Sequence, residues 1–347
     1  MKTKRTTLLI LFAAATLTAL LLRIPRAIRA ANEGRLVHVL MYHGFADDPK
    51  DDVWTVATSE FDRQLSEMKA DGRTAITPNQ LALAAKGLCL LPRKPVVITM
   101  DDGFRDNVTL AEPILLKHGM KGICYLIISH IGDSPEQRSQ YRGRDNLVWT
   151  EVREAIGRGA LSFGSHSISH SANARHQAKE VSRSRHIFHD KTGTKANAYC
   201  YPNGYAPDII WVAVRYKHRF TTAMVCNDQA FHFSSDADLY RIPRVSVYGG
   251  RHDFKLTPPT WSDGHLTVQV VNNGVSMPVR CMLREKRTGR KILSDGNPER
   301  FGNGESRDFT WANLPKDLDA KDLEVIVSEQ NGLFTYGEPV PVPPKGN

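Results

Sequence analysis

No two cysteines in this 347-residue chain are spaced as C-x-x-C, which excludes the knuckle pattern of a structural zinc knot. The five cysteines are Cys89, Cys124, Cys200, Cys226 and Cys281. Cys124, Cys200 and Cys226 lie in apolar, strand-like runs and read as buried small hydrophobes rather than ligands. In an exported protein two of the five could pair, and the spacing does not say which. No acidic residue occurs in the first thirty positions, where six basic ones do: Lys2, Lys4, Arg5, Arg23, Arg26 and Arg29. The remainder carries 40 basic against 37 acidic residues, so most of the formal charge of +9 belongs to the N-terminus. A body this balanced lacks the basic face of a nucleic-acid binder. No clean Ala-x-Ala site follows the uncharged run at residues 6–22, although small residues occur at 27–31.

The N-terminal order is that of a targeting segment: basic residues, an uncharged Leu- and Ala-rich run, then Arg23, Arg26 and Arg29. The run is slightly long for a cleaved signal and slightly short for a membrane span, which needs about 20 apolar residues. Both a cleaved signal peptide and an uncleaved anchor fit residues 1–31. Either one puts the body outside the cytoplasm: secreted, periplasmic or membrane-anchored. Nothing amphipathic interrupts the run, which argues against a core helix. The composition, 41% hydrophobic and 24% charged, suits one large domain with a smaller one. Nothing in it fixes an oligomeric state.

From about residue 35 to 254, short apolar strands alternate with helical stretches. Val37-His38-Val39-Leu40-Met41-Tyr42, Val96-Val97-Ile98-Thr99-Met100 and Gly122 through Ile128 are continuous apolar runs, as strands buried on both faces of a parallel sheet should be. Further strands are expected near 161–163, 198–201, 221–225 and 242–247. Helices are expected from Ser59 to Gly72, at 108–118, at 151–158 with Thr150 as cap, at 174–191, and at 208–218. About seven β/α units predict a barrel-like α/β domain, with a doubly wound open sheet as the alternative. After the linker Thr257-Pro258-Pro259-Thr260 the pattern changes to alternating runs bounded by Asn-Gly turns, predicting a small all-β, sandwich-like domain at 262–338. The Pro-rich residues 339–347 read as a disordered tail.

Two strings carry chemistry. Thr99-Met100-Asp101-Asp102-Gly103 sets adjacent carboxylates at the mouth of a buried strand, where they repel unless a cation neutralises them. His166-Ser167-Ile168-Ser169-His170 follows another strand, and two histidines four apart would share one face of a helical turn, suited to a shared metal. Taken alone, each string has a plain alternative: a turn, or a pair of solvated loop histidines. Together they offer one carboxylate and two imidazoles with open positions, the ligand set of a hydrolytic divalent-metal site, and a second carboxylate to serve as base.

In order along the chain, Val97 to Gly103, Gly164 to His170 and Tyr201-Pro202-Asn203-Gly204 resemble the motifs of the polysaccharide deacetylase family, carbohydrate esterase family four. Leu40-Met41-Tyr42-His43-Gly44 and Phe104-Arg105-Asp106-Asn107 are similar to a subgroup acting on extracellular poly-N-acetylglucosamine. The resemblance spans roughly residues 37–247. It implies a distorted (β/α) barrel and a hydrolase of carbon–nitrogen bonds other than peptide bonds, which removes N-acetyl groups from a polysaccharide. It implies Asp101 as general base, and Asp102, His166 and His170 as ligands of a divalent ion, zinc or another transition metal. It also places Tyr201, Pro202 and Asn203 at the substrate, with a backbone N–H of this segment near the oxyanion.

The chain departs from the family in three places. The third motif lacks its usual Arg; Arg241 or Arg244 could replace it, and Arg241 is also assigned to substrate. The late Leu-x-His is missing, leaving His43 as the assigned proton donor with His252 as the other candidate. Asn203 stands where an aromatic is usual. Trp149 is the best placed of Trp54, Trp149 and Trp211 to stack on a sugar, whereas Trp211 has helical spacing suited to core packing. His176, His186 and His189 alternate with Lys and Arg and read as a solvated face. Two further functions compete: an O-acetyl esterase with the same centre, and a catalytically weak carbohydrate-binding protein.

Overall fold

The computed structural model describes residues 23–345 apart from 218–219, 295–298, 313, 315–316 and 330–331. The expected signal or anchor run at 6–22, the expected helix end at His218 and the last two residues of the expected tail lie outside the described residues. No described helix is long and apolar enough to cross a membrane. The chain divides into two compact units. One takes in the chain up to Leu40, then Gly72–Arg105 and Gly119–Arg244; the other takes in Met41–Asp71, Asp106–His118 and Val245–Asn347. Residues 41–71 and 106–118, which the sequence pattern groups with the barrel, thus belong by contact to the second unit.

The first unit is built on a curled, mostly parallel sheet, the sheet of a distorted (β/α) barrel. Its strands are β1 (Arg35–Tyr42), β2 (Thr74–Ala75), β3 (Pro95–Met100), β4 (Gly122–Leu126), β5 (Leu161–Ser165), β6 (Ala198–Cys200), β7 (Thr222–Met224) and β8 (Phe231–Phe233). They run in the order β7-β6-β5-β4-β3-β1-β8, with β2 beside β3. Neighbours from β7 through β3 pair in parallel, whereas β8 pairs antiparallel with β1. Every residue of β3 and β4 is buried, which is why their sequences are continuously apolar rather than alternating. Burying a Val or Ile side chain completely contributes about 1.5–3 kcal/mol, so this central pair anchors the unit.

Helices flank the sheet: α1 (Pro78–Ala85), α2 (Trp149–Arg158) and α3 (Ala174–Thr192). Thr77 caps α1 in a capping box with Gln80, and Pro78 supplies a first-turn residue with no N–H to satisfy. Helix α2 begins two residues earlier than its sequence suggests. Val148, not Thr150, is its N-cap residue, and Glu151 accepts from the Val148 N–H at 3.1 Å. The helix expected from Asp208 is α-helical only to Val212 and continues as a π-turn through Lys217.

The second unit contains two antiparallel sheets. One orders Phe254–Leu256, His265–Asn272 and Thr260–Ser262, with Ser306–Trp311 also on His265–Asn272. The other orders Lys291–Leu293, Met277–Glu285, Leu323–Glu329 and Thr335–Pro341, with Glu299–Phe301 on Met277–Glu285. Leu266, Val268 and Val270 alternate into a core shared with Val279, Cys281 and Val325, as the period-two pattern requires. The tail expectation fails for its first residues. Val340 and Pro341 pair with Val325 and Glu324 on an edge strand, where Pro is tolerated, and Val342 is buried. No disulfide joins the five cysteines.

Candidate metal centre

Strand β3 ends at Met100, and the next three residues turn sharply. Asp102 and Gly103 both lie at positive φ, +72° and +76°. Asp is among the few residues with a side chain that tolerate this region, and at Gly103 a Cβ would fall 2.9 Å from Leu126 Cδ2. The buried Asn146 Nδ2 holds the turn by donating to the carbonyls of Asp102 and Gly103 at 3.1 and 3.3 Å. The turn brings both carboxylates, 2% and 5% exposed, toward one imidazole: His166 Nε2 is 3.9 Å from Asp101 Oδ2 and 3.8 Å from Asp102 Oδ1.

His166 follows β5, whose Gly164 leaves room for the Tyr125 ring and the Ala198 carbonyl, 2.6 and 2.7 Å from where a Cβ would stand. The His166 Nδ1–H donates to the Cys200 carbonyl at 2.9 Å, so Nε2 keeps its lone pair for the site. The segment from His166 to His170 is not the helical turn that the four-residue spacing suggests. Ser167 and His170 have φ of +66° and +52°, and the backbone is looped. Glu180 of α3 stabilises this loop by accepting from the N–H groups of Ile168 and Ser169, each at 3.1 Å, and the Ser167 hydroxyl accepts from the His170 N–H at 3.0 Å. The two rings still converge, their centroids 4.7 Å apart.

Ligand atoms of Asp102, His166 and His170 all lie within 4.8 Å of one another, and so do those of Asp101, His166 and Cys200. Burial, then the neighbouring Asp101 charge, pushes the Asp102 carboxyl up to about 7, against weaker pulls from Arg142 and Arg244. Burial, then His166, pulls the His170 imidazole down to about 4, leaving it neutral at neutral pH. A strained carboxylate, the neutral His170 imidazole and the converging His166 ring are the donor set that a divalent cation relieves, and three protein ligands leave positions open for water. The residues therefore fit a metal ion.

Asp101 faces a different partner. The buried Arg244 guanidinium donates to both of its oxygens, at 2.7 and 2.8 Å, and also to Thr99 Oγ1 at 3.1 Å and to the Val225 carbonyl at 3.2 Å. Burial opposes the Arg244 charge, but the attraction of Asp101 outweighs it and holds the group above its ordinary value. Of the two arginines considered from sequence, Arg244 is the one that grips Asp101. Arg241 pairs with Asp208 at 2.6 Å and lies over the Trp211 ring. The Cys200 thiol, which the sequence suggested was only a packing group, donates to Asp101 at 3.6–3.7 Å and is pushed well up by burial.

The remaining assigned residues fare unequally. Tyr201 is fully buried, its hydroxyl donating to the Tyr240 carbonyl and its N–H to the Met224 carbonyl at 3.1 Å, so that N–H is not directed to an oxyanion. Pro202 is buried, and Asn203 is exposed at φ +60° on the turn Pro202–Gly204. Trp149 is 2% exposed and packs edge-on against Phe188, because α2 starts at this residue and turns it into the core; it cannot stack on a sugar. His43 lies in the second unit against Trp54, with ring centroids 4.7 Å apart, and His252 lies there against Tyr336 at 4.4 Å. Neither is in the metal-ligating clusters. His176 pairs with Glu180. Sequence reasoning missed Tyr141, whose ring centroid is 6.2 Å from that of His170 on the hairpin Gln140–Tyr141/Arg144–Asp145.

Residues 91–221 match the family model described as polysaccharide deacetylase. A poly-beta-1,6-N-acetyl-D-glucosamine N-deacetylase of Staphylococcus epidermidis is 24% identical over 201 residues, covering 56% of this chain and 68% of its own length. Among solved structures, IcaB from Ammonifex degensii aligns with a TM-score of 0.54 at 22% identity, over 62% of this chain and 93% of its own. The Streptococcus pyogenes deacetylase PplD aligns with a TM-score of 0.53 at 22% identity, over 61% and 92%. The two structures support the barrel fold, and the family match covers both chemical strings.

Proposed function

We propose that this chain, a polysaccharide deacetylase by the family its barrel matches, removes N-acetyl groups from an N-acetylglucosamine-type polysaccharide outside the cytoplasm and releases acetate. One observation carries the reading: a single imidazole, His166, lies within 3.9 Å of two carboxylates with separate partners, one shared with His170 and the other gripped by Arg244.

Asp102, His166 and His170 would hold a divalent ion, proposed as zinc, which when bound supplies Lewis acidity and lowers the pKa of water. Asp101 acts as general base and takes a proton from the attacking water. Arg244 fixes both oxygens of that carboxylate in one plane, which leaves their outward lone pairs to receive the proton. The Cys200 thiol donates to the same carboxylate. Asn203, exposed on the third-motif turn, meets the sugar. The barrel at 35–254 is read as the catalytic domain and the β-rich region at 262–338 as its accessory. Purified protein incubated with acetylated glucosamine oligomers should release acetate, and a chelator should abolish the release. Release from acetylated xylan but not from these oligomers would instead identify an O-acetyl esterase.

A further inference from the structure

The first unit exposes an apolar cluster that the metal centre does not use. Leu88 and Leu90 are 62% and 61% exposed, and Ile24 is 48% exposed. They are displayed by fixed backbone. Gly87, at φ +73°, ends α1 in paired bonds: its N–H donates to the Ala84 carbonyl and that of Leu88 to the Leu83 carbonyl, both at 2.9 Å. The residue after such a glycine ordinarily covers the last helical turn, whereas Leu88 faces solvent. A Cβ on Gly87 would fall 2.2 Å from the Pro25 carbonyl oxygen, so this loop lies directly against the helix at residues 23–32. Asn32 ties the two together, donating to the Cys89 carbonyl at 2.8 Å and accepting from the Leu91 N–H at 2.9 Å.

The basic residues on the two segments that carry the cluster outnumber the acidic ones. Arg23, Arg26 and Arg29 lie on the helix, and Lys86, Arg93 and Lys94 flank the loop, each at least partly exposed. No acidic residue occurs from 72 to 100. The one acid between 23 and 40, Glu33, accepts from the Ser235 N–H at 2.9 Å. Exposed apolar side chains flanked by cations are what an interfacial contact with anionic lipid requires. The order of the chain favours a bilayer over a protein partner, because the uncharged run at 6–22 leads into this helix at Arg23.

We propose that Ile24, Leu88 and Leu90, with the basic residues around them, seat the barrel on the headgroup region of an anionic bilayer. This contact is separate from the catalytic reading and from any hold exerted by residues 6–22. The test is amide hydrogen exchange on the full-length protein reconstituted in vesicles of phosphatidylglycerol and phosphatidylcholine, and in phosphatidylcholine alone. Exchange at residues 87–91 should be slowed at least about tenfold by the anionic vesicles only. The protection should vanish in the Leu88→Ser/Leu90→Ser variant and weaken at about 1 M salt. Acetate release by that variant from soluble oligomers should be unchanged. Equal exchange in the two kinds of vesicle would overturn the proposal. So would protection that appears without lipid as protein concentration rises, which would make a second copy the occupant.

Discussion

Arg244 closes on both oxygens of Asp101, at 2.7 and 2.8 Å, across 143 positions of sequence. Both groups are almost fully buried, so the pair sets the stability of the mouth of β3 as well as the aim of the proposed base. Removing one partner of a buried pair leaves an uncompensated charge. Arg244→Ala should lower unfolding stability by about 3–5 kcal/mol, read by denaturant titration. Arg244→Lys, which keeps the charge but not the fork, should leave the metal content intact and still lose kcat about a hundredfold.

Glu180 holds the loop that carries both histidines. Glu180→Ala frees the N–H groups of Ile168 and Ser169 without touching a ligand atom. Ion affinity should fall about 10–100-fold by calorimetric titration, the usual effect of losing a group that orients ligands. Unchanged affinity would mean that the loop keeps its shape without the carboxylate.

The pH dependence of the ion-free protein follows from Asp102. Its carboxyl rises from an ordinary 3.8 to about 7 on folding, so the folded state binds this proton more tightly than the unfolded chain does. The associated stability is complete below the ordinary value and is lost as pH climbs through about 7. Chelated protein should therefore grow less stable between these limits, in thermal melts across a pH series. A divalent ion must displace the same proton, so ion affinity should rise with pH up to about 7 and then level. Asp102→Asn should remove the slope.

Trp149 and Tyr141 separate packing from recognition. Trp149→Ala empties a core site and should destabilise by about 3–5 kcal/mol with little change in KM. Tyr141→Ala should change stability little and raise KM, because its half-exposed ring flanks His170. The opposite pattern would restore Trp149 to the sugar.

Short contiguous features were readable from sequence, and remote partnerships were not. The unbroken apolar run of β3 and the acids behind it announce a buried strand with a charged mouth, since burial and repulsion act locally. The four-residue spacing of His166 and His170 suggests a shared helical face, yet positive φ at Ser167 and His170, not a helical face, makes the rings converge. Spacing alone cannot separate those two backbones. Arg241 and Arg244 are equivalent in sequence, and the choice falls to Arg244 because only its guanidinium reaches Asp101 and Thr99 at once. Trp149 was misread through a two-residue error in a helix start. The grouping of residues 41–71 with the β-rich unit depends on packing that no local pattern encodes.

The central claim is that ion binding and proton removal reside on neighbouring carboxylates. The most direct measurement is bound-metal analysis alongside acetate release for Asp101→Asn and His166→Ala. Asp101→Asn should keep about one ion per chain and release no acetate, while His166→Ala should lose both. An active Asp101→Asn protein, or a His166→Ala protein that still holds its ion, would contradict the account.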